Sequence, residues 1–362
     1  MLFLSLLLLL IIQHALSNIH SCTLYNDDGS LRPYRVVVSV DSRLLEVFVN
    51  WLIYYFEVCR NFNHLDIICL DTKVKDVITM LGLKCNPKSY YLHGQGKRFV
   101  QVGNKTVLSS TGTLWKSKDL ITPFSEKLGS LWTRRIEIIS EYISSDIDVI
   151  LSDTDAIWLR DPLPDINSNR KSADMIASRA IYPIEQNLKW GSTVCMGFLY
   201  LNAGVFVDDF FLALKKTIIA DEYPDDQKSL NELLDFNNIT WPKQRMALDQ
   251  NIYDLGLIPW SNTNNSHGIL LLPHDSYLRQ CHNETMARGS SKKARYQAKN
   301  NINTAIIAHC RVPKGQGFAK SHRLKAYALW KLRHGWKLSL ISYFKKKKNN
   351  NINTMMKVIT QD

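Results

Sequence analysis

The sequence predicts an α/β fold, a mainly parallel twisted sheet flanked by helices, and three observations point there. Two strand-then-helix units follow one another within the first 82 residues, a later apolar strand ends in a pair of acids, and no internal repeat or linker appears before about residue 335. Alternation of this kind implies parallel strands covered on both faces, with ligands at the carboxyl ends of the strands.

Residues 35–40 (RVVVSV) form a β-branched run of strand length, and residues 44–58 have the apolar density and length of a largely buried helix. Residues 65–70 (LDIICL) repeat the strand pattern. Val74, Val77, Ile78 and Leu81 then recur at the i, i+3, i+4, i+7 spacing of a helix that Gly82 ends. Residues 87–117 have no clear period and read as loop and short strands; their His93-Gly94-Gln95-Gly96 string lacks the context of a phosphate loop. Residues 130–143 return to helical spacing through Leu131, Ile136, Ile139 and Ile143, and residues 147–151 (IDVIL) are a buried strand. Beyond it, residues 196–207 (MGFLYLNAGVFV) read as one or two core strands, and residues 210–220 and 229–234 as helices.

The chain has 362 residues, 45% hydrophobic and 22% charged, a composition that can bury a substantial core. Its net charge of +12 is a property of the tail: residues 311–362 carry 13 Lys or Arg against one acid, and the rest is balanced at 32 of each. This distribution excludes a nucleic-acid binder, whose basic residues would form a patch on the folded domain. The tail, with Lys345 to Lys348 and an Asn run, reads as a solvated, disordered end over residues 336–362, after a catalytic domain over residues 30–335. Residues 1–17 read as a signal peptide, an apolar run to Ile12 followed by the small-x-small pattern Ala15-Leu16-Ser17. An uncleaved N-terminal anchor is the alternative, and through it alone would the protein meet a membrane. The expected location is the secretory pathway, Golgi lumen or secreted. In that oxidising compartment Cys22, Cys59, Cys69, Cys85, Cys195, Cys281 and Cys310 allow up to three disulfides and one free thiol, with connectivity open. Sequons at Asn104, Asn238, Asn264 and Asn283 fit a glycoprotein of that pathway.

The chemistry concentrates at Asp153-Thr154-Asp155, directly after the buried strand. In an extended backbone two acids one residue apart point to the same side. Hard carboxylates suit Mn²⁺ or Mg²⁺, which can bridge a diphosphate and neutralise charge as it leaves. A three-residue pattern says little alone, but the string VILSDTDAIWLRDP places it between an apolar strand and Trp158, Arg160, Asp161 and Pro162.

Residues 149–162 resemble the nucleotide-diphospho-sugar transferase domain of glycosyltransferase family 77 and its relatives, where a DxD precedes an Ile/Val-Trp-Leu/Phe-x-Asp-Pro string. Met196 to Tyr200 is similar to that family's Gly-Phe-aromatic strand, and Asp226-Gln227 with Asn231 to its DQ-x-x-x-N element. His309, Gly315, Lys320 and Trp330 resemble its C-terminal His-Gly-Lys-Trp region. The resemblance implies a GT-A fold and a Mn²⁺-dependent, configuration-retaining glycosyltransferase that passes a sugar from a UDP-sugar to a glycan or glycoprotein acceptor.

On that footing Asp155 is the expected metal ligand, Asp153 shares the metal or holds the donor ribose, and His309 completes the coordination. Lys320 places a cation on the diphosphate. Arg135, 18 residues before Asp153, reaches the donor, with Arg134 as its rival. Asp226 and Gln227 are the expected catalytic pair, steadying charge at the sugar's reacting carbon, with Asp249-Gln250 as the competing match. Asn202, beside Gly204, is expected to line the donor pocket, and Trp158, Trp190, Trp241 and Trp260 are candidates for stacking on sugars. Two other classes stay in view: a secreted carbohydrate-binding protein that has lost turnover, and an aspartate-nucleophile phosphatase, against which Ile157 stands where that motif wants Thr or Val.

Overall fold

The computed structural model describes residues 22–89, 98–102, 105–109, 122–221, 224–242, 251–260, 265–279, 302–310 and 319–332. The leader, the His93 string, the sequons at Asn104, Asn264 and Asn283, Asp249-Gln250, Cys281, Gly315 and the basic tail lie outside them.

The chain opens with β1 (Tyr34–Val40), α1 (Leu45–Cys59), β2 (Leu65–Cys69) and α2 (Thr72–Met80), the two units expected. Asp71 caps α2 by accepting from the Val74 N–H at 3.0 Å, and Gly82 at φ 71° supplies the left-handed turn beyond it. A hairpin, β3 (Arg98–Val102) and β4 (Lys105–Ser109), precedes α3 (Thr122–Ile143) and β5 (Asp148–Ser152). Then come β6 (Ala156–Trp158), α4 (Leu163–Asn169), β7 (Met175–Ala180), α5 (Ile184–Trp190) and β8 (Thr193–Leu201). Helices α6 (Val205–Ala220) and α7 (Asp226–Phe236) lead to β9 (Asp254–Pro259), β10 (Ser266–Leu271), β11 (Tyr277–Leu278), β12 (Ile307–His309) and α8 (Ala319–Ala326).

Seven strands form one sheet in the order β2-β1-β5-β8-β7-β10-β9. The period-two alternation of β1 divides the core: Val36, Val38 and Val40 face α1 and its Trp51, while Val37 joins Val149 and Leu151 of β5 against Ile139 of α3 and Phe210 of α6. Each such side chain, fully buried, stabilises the fold by roughly 1.5–3 kcal/mol. The α/β sandwich is as expected. Its parallel character is confined to β2-β1-β5 and β7-β10, because β8 runs antiparallel to both β5 and β7, and β9 antiparallel to β10. Strand direction is set by which partner a buried strand finds, and a run as apolar as β8 fits either direction.

The strand expected over 196–207 ends at Leu201; after Asn202-Ala203-Gly204 the apolar Val205, Phe206 and Val207 open α6. A second, three-stranded sheet, β11-β12-β6, pairs β12 with β11 in parallel and with β6 antiparallel. Disulfides join Cys22 to Cys59 and Cys69 to Cys85, Cys310 is also disulfide-bonded, and Cys195 is a buried free thiol.

Candidate metal and donor site

β5 stops at Ser152, and the acids sit on a turn instead of continuing the strand. The Asp153 N–H donates to Gly197 O of β8 at 2.8 Å, and the Ala156 N–H closes the turn on Asp153 O at 3.0 Å. The strand-alternation argument for both acids facing one side therefore gives way to turn geometry. Trp158 braces this turn from inside the core, its indole N–H donating to Ser152 Oγ at 3.2 Å, and Trp51 donates to Ala156 O at 2.9 Å.

The small sheet delivers the third group. In the β12–β6 register His309 lies opposite Ala156, next to Asp155, although more than 150 residues separate them in sequence. One donor atom each from Asp153, Asp155 and His309 fall within 4.8 Å of one another. His309 Nε2 stands 3.7 Å from Asp153 Oδ2 and 3.6 Å from Asp155 Oδ1, beyond a tight hydrogen bond. Two hard carboxylates and an imidazole make a donor set suited to Mn²⁺ or Mg²⁺.

Gly197 makes the convergence sterically feasible. A Cβ there would lie 2.0 Å from His309 Cε1, 2.5 Å from its Nδ1 and 2.8 Å from Asp153 Oδ2. Behind the ring, Cys195 Sγ lies 3.7 Å from His309 Nδ1 and accepts the Gly197 N–H at 3.4 Å.

Cations surround the acids. Lys320 of α8 donates to Asp155 Oδ1 at 2.8 Å. Burial disfavours charge on Asp155, yet Lys320 and His309 overcome it and hold the carboxyl well below the usual range. Burial and Arg279 press the His309 imidazole down, while Asp155 raises it to a net upward shift. Burial likewise opposes the Cys195 thiolate, but Arg279 and His309 draw the thiol down to about 6. Arg279 follows β11, so the parallel register sets it beside His309, and its Nη1 donates to His309 O at 3.4 Å.

Arg135 is buried under the site, with Nη1 3.4 Å from Asp153 Oδ1 and Nη2 paired with Asp226, its guanidinium 4.7 Å from the Trp132 ring. Arg134 turns outward to Lys88 O and Glu137. Asp226 therefore reaches the site through Arg135. Its neighbour Gln227 does not present a free amide: Oε1 accepts the Met196 N–H at 3.2 Å and Nε2 donates to Tyr182 O at 2.6 Å. Asn231 likewise accepts the Val194 N–H and donates to Val194 O, both at 2.9 Å. This element clamps the start of β8, which carries Cys195 and Gly197.

Asn202 is not brought to the site. It lies past the far end of β8, within 3.4 Å of Arg32 Nη2 and Arg170 O, level with Asp148. At about 3.4 Å per residue that is roughly 17 Å from Asp153. Trp158, Trp190 and Trp260 are buried, packing on Phe198, on Trp241 and on Phe206 respectively. They belong to the core, and Trp241 packs with them. Sequence reasoning counted Cys195 only among the cysteines and passed over Arg279, neither of which carries a local motif, and named Gly197 without its steric role.

Residues 61–265 match the family described as nucleotide-diphospho-sugar transferase, a span that includes Asp153, Asp155 and Arg135 and leaves His309 and Lys320 beyond it. No curated protein matches. Among solved structures the chain is similar to a WbbM bifunctional glycosyltransferase, at 10% identity over 88% of this chain and 52% of that one, with TM-score 0.42. It is also similar to the glycosyltransferase GlyE of Streptococcus pneumoniae TIGR4, at 14% identity over 87% of this chain and 64% of that one, with TM-score 0.37. The chain thus spans between half and two thirds of the length of these two solved chains.

Proposed function

The chain belongs to the nucleotide-diphospho-sugar transferase family, and from that premise we propose that it moves a sugar from a UDP-sugar to a glycan or glycoprotein acceptor with retention of configuration. The observation that carries this reading is the convergence of Asp153, Asp155 and His309 beneath Lys320 and beside Arg135. The donor set fits Mn²⁺, with Mg²⁺ as the alternative; when bound, the ion supplies charge neutralisation at the diphosphate.

The chain's own groups do the rest. Lys320, already drawn to the acids, adds a cation on the side where leaving-group charge accumulates. Arg135 holds Asp153 and Asp226 in fixed relation, so its action on the donor runs through those carboxylates. Gln227 and Asn231 act as positioning residues through β8, in place of direct contact with the sugar. The UDP moiety, the retaining outcome and kinship with glycosyltransferase family 77 rest on the resemblance of residues 149–162. A secretory location rests on the leader and gains support from the disulfides. The division into a leader, a catalytic domain and a basic tail is part of the same proposal.

The test incubates the full chain with a panel of UDP-sugars, with and without Mn²⁺, beside Asp155→Ala. One donor is expected to turn over only with metal, and the variant to lose about 10³-fold or more, ~4 kcal/mol of barrier. Binding of glycans without turnover of any donor at millimolar Mn²⁺, or cleavage of phosphate esters, would overturn the reading.

A further inference from the structure

His309 offers Nε2 to the two acids, and what lies behind its ring is a sulfur. Cys195 is fully buried on β8, and among the described cysteines it is the one outside a disulfide. Its Sγ stands 3.7 Å from His309 Nδ1 and takes the N–H of Gly197 at 3.4 Å. A backbone N–H can only donate, so the sulfur is an acceptor in that contact, and a second acceptor role toward Nδ1–H is geometrically open.

The tautomer decides whether the site works. A neutral imidazole carries one N–H and one lone pair. With the proton on Nδ1 and directed at sulfur, the Nε2 lone pair faces Asp153 and Asp155. With the proton on Nε2, the site loses a ligand. Arg279 holds the same strand by its backbone, its Nη1 donating to His309 O at 3.4 Å, so the ring is approached by sulfur on one side and the acids on the other.

We propose that Cys195 is the positioning residue of His309: its sulfur accepts the Nδ1–H, fixing ring orientation and tautomer so that Nε2 is presented to a divalent cation held with Asp153 and Asp155. This inference rests on the metal reading of the site. A carboxylate or carbonyl commonly fills such a place behind a metal-bound histidine, and its loss weakens metal binding by about 10–100-fold.

The test needs no donor. Mn²⁺ is titrated into the full chain and followed by the electron paramagnetic resonance of the free ion, for the wild type, Cys195→Ala, Cys195→Ser and Asp155→Ala. Coupling of bound Mn²⁺ to imidazole nitrogen is read by spin-echo modulation, and folding by circular dichroism. Cys195→Ala is expected to bind about 10–100-fold more weakly and to lose most of the nitrogen modulation while remaining folded. Cys195→Ser is expected to recover much of both, since a hydroxyl oxygen accepts the same N–H. Wild-type affinity and modulation in folded Cys195→Ala would overturn the proposal, as would a Ser variant no better than the Ala one, which marks a packing role. If the wild type binds Mn²⁺ no better than Asp155→Ala, the metal reading fails and takes this inference with it.

Discussion

At its amino end β5 holds Asp148, and just past its carboxyl end it delivers Asp153 and Asp155, so one strand feeds two clusters of buried charge. At the first, Asp148 Oδ1 accepts from Arg32 Nη2 and the Ala203 N–H, both at 2.8 Å, and Oδ2 from Arg32 Nε at 2.8 Å and Tyr200 OH at 2.6 Å. Two oxygens meet four donors, all short. At the second, among the described residues, Lys320 alone makes a short contact to the two acids; Arg135 and His309 stand 3.4–3.7 Å from them. Burial of charge is common to both ends. What differs is satisfaction: a closed network has no use for another cation, whereas loosely held carboxylates facing an imidazole can take one.

The sharpest way to break this comparison is to remove one acid from each end. Asp148→Ala leaves Arg32 with only a 3.4 Å contact to the exposed Asp146 and strips two more donors, the Ala203 N–H and the Tyr200 hydroxyl, of their acceptor; it is expected to destabilise the fold by about 3–5 kcal/mol. Asp155→Ala is expected to abolish metal-dependent turnover with a smaller effect on stability, since the Lys320 it leaves behind is partly exposed and can turn to water. Melting curves of the two variants check this. Equal destabilisation would show that the second cluster is scaffold like the first.

The same contrast explains what could be read from the sequence. β1, α1, β2, α2 and β5 were legible because periodicity and caps are local. β6, β7 and β9 to β12 were not: the strings AIW and IAH are too short to show a period, and SHGILL begins with residues that read as loop. For the site, resemblance named His309 and Lys320, but nothing local brings His309 beside Ala156; that follows from pairing β12 with β6. Gln227 looked catalytic by type, and the structure turns both ends of its amide to backbone. Residue type tells what a side chain can do, and only the fold tells whether its atoms are still free to do it.

A smaller perturbation sharpens the comparison inside the second cluster. Gly197→Ala would put a methyl 2.0 Å from His309 Cε1, so the imidazole must move by an ångström or more. A misplacement of that size is worth about 10²-fold in rate. Activity is expected to fall by roughly that factor, with Mn²⁺ affinity falling alongside, while the Asp148 network is untouched. Metal titration and turnover measured together check it; a loss of turnover with unchanged metal affinity would place the harm in the donor instead of His309.

The mildest test is Asn202→Ala. Sequence position beside Gly204 suggested a pocket residue, yet its side chain makes long contacts, 3.4 Å to Arg32 Nη2 and 3.4 Å to Arg170 O, at the Asp148 end. Contacts of that length in a partly buried setting are worth about 0.5–1.5 kcal/mol. Asn202→Ala is expected to lower the melting temperature by a few degrees at most and to leave kcat and the donor KM unchanged. A raised KM with unaltered melting would mean that β8 transmits the state of its far end to Gly197 and His309. The two clusters would then be one coupled unit, and satisfaction at one end would be part of how the other is set.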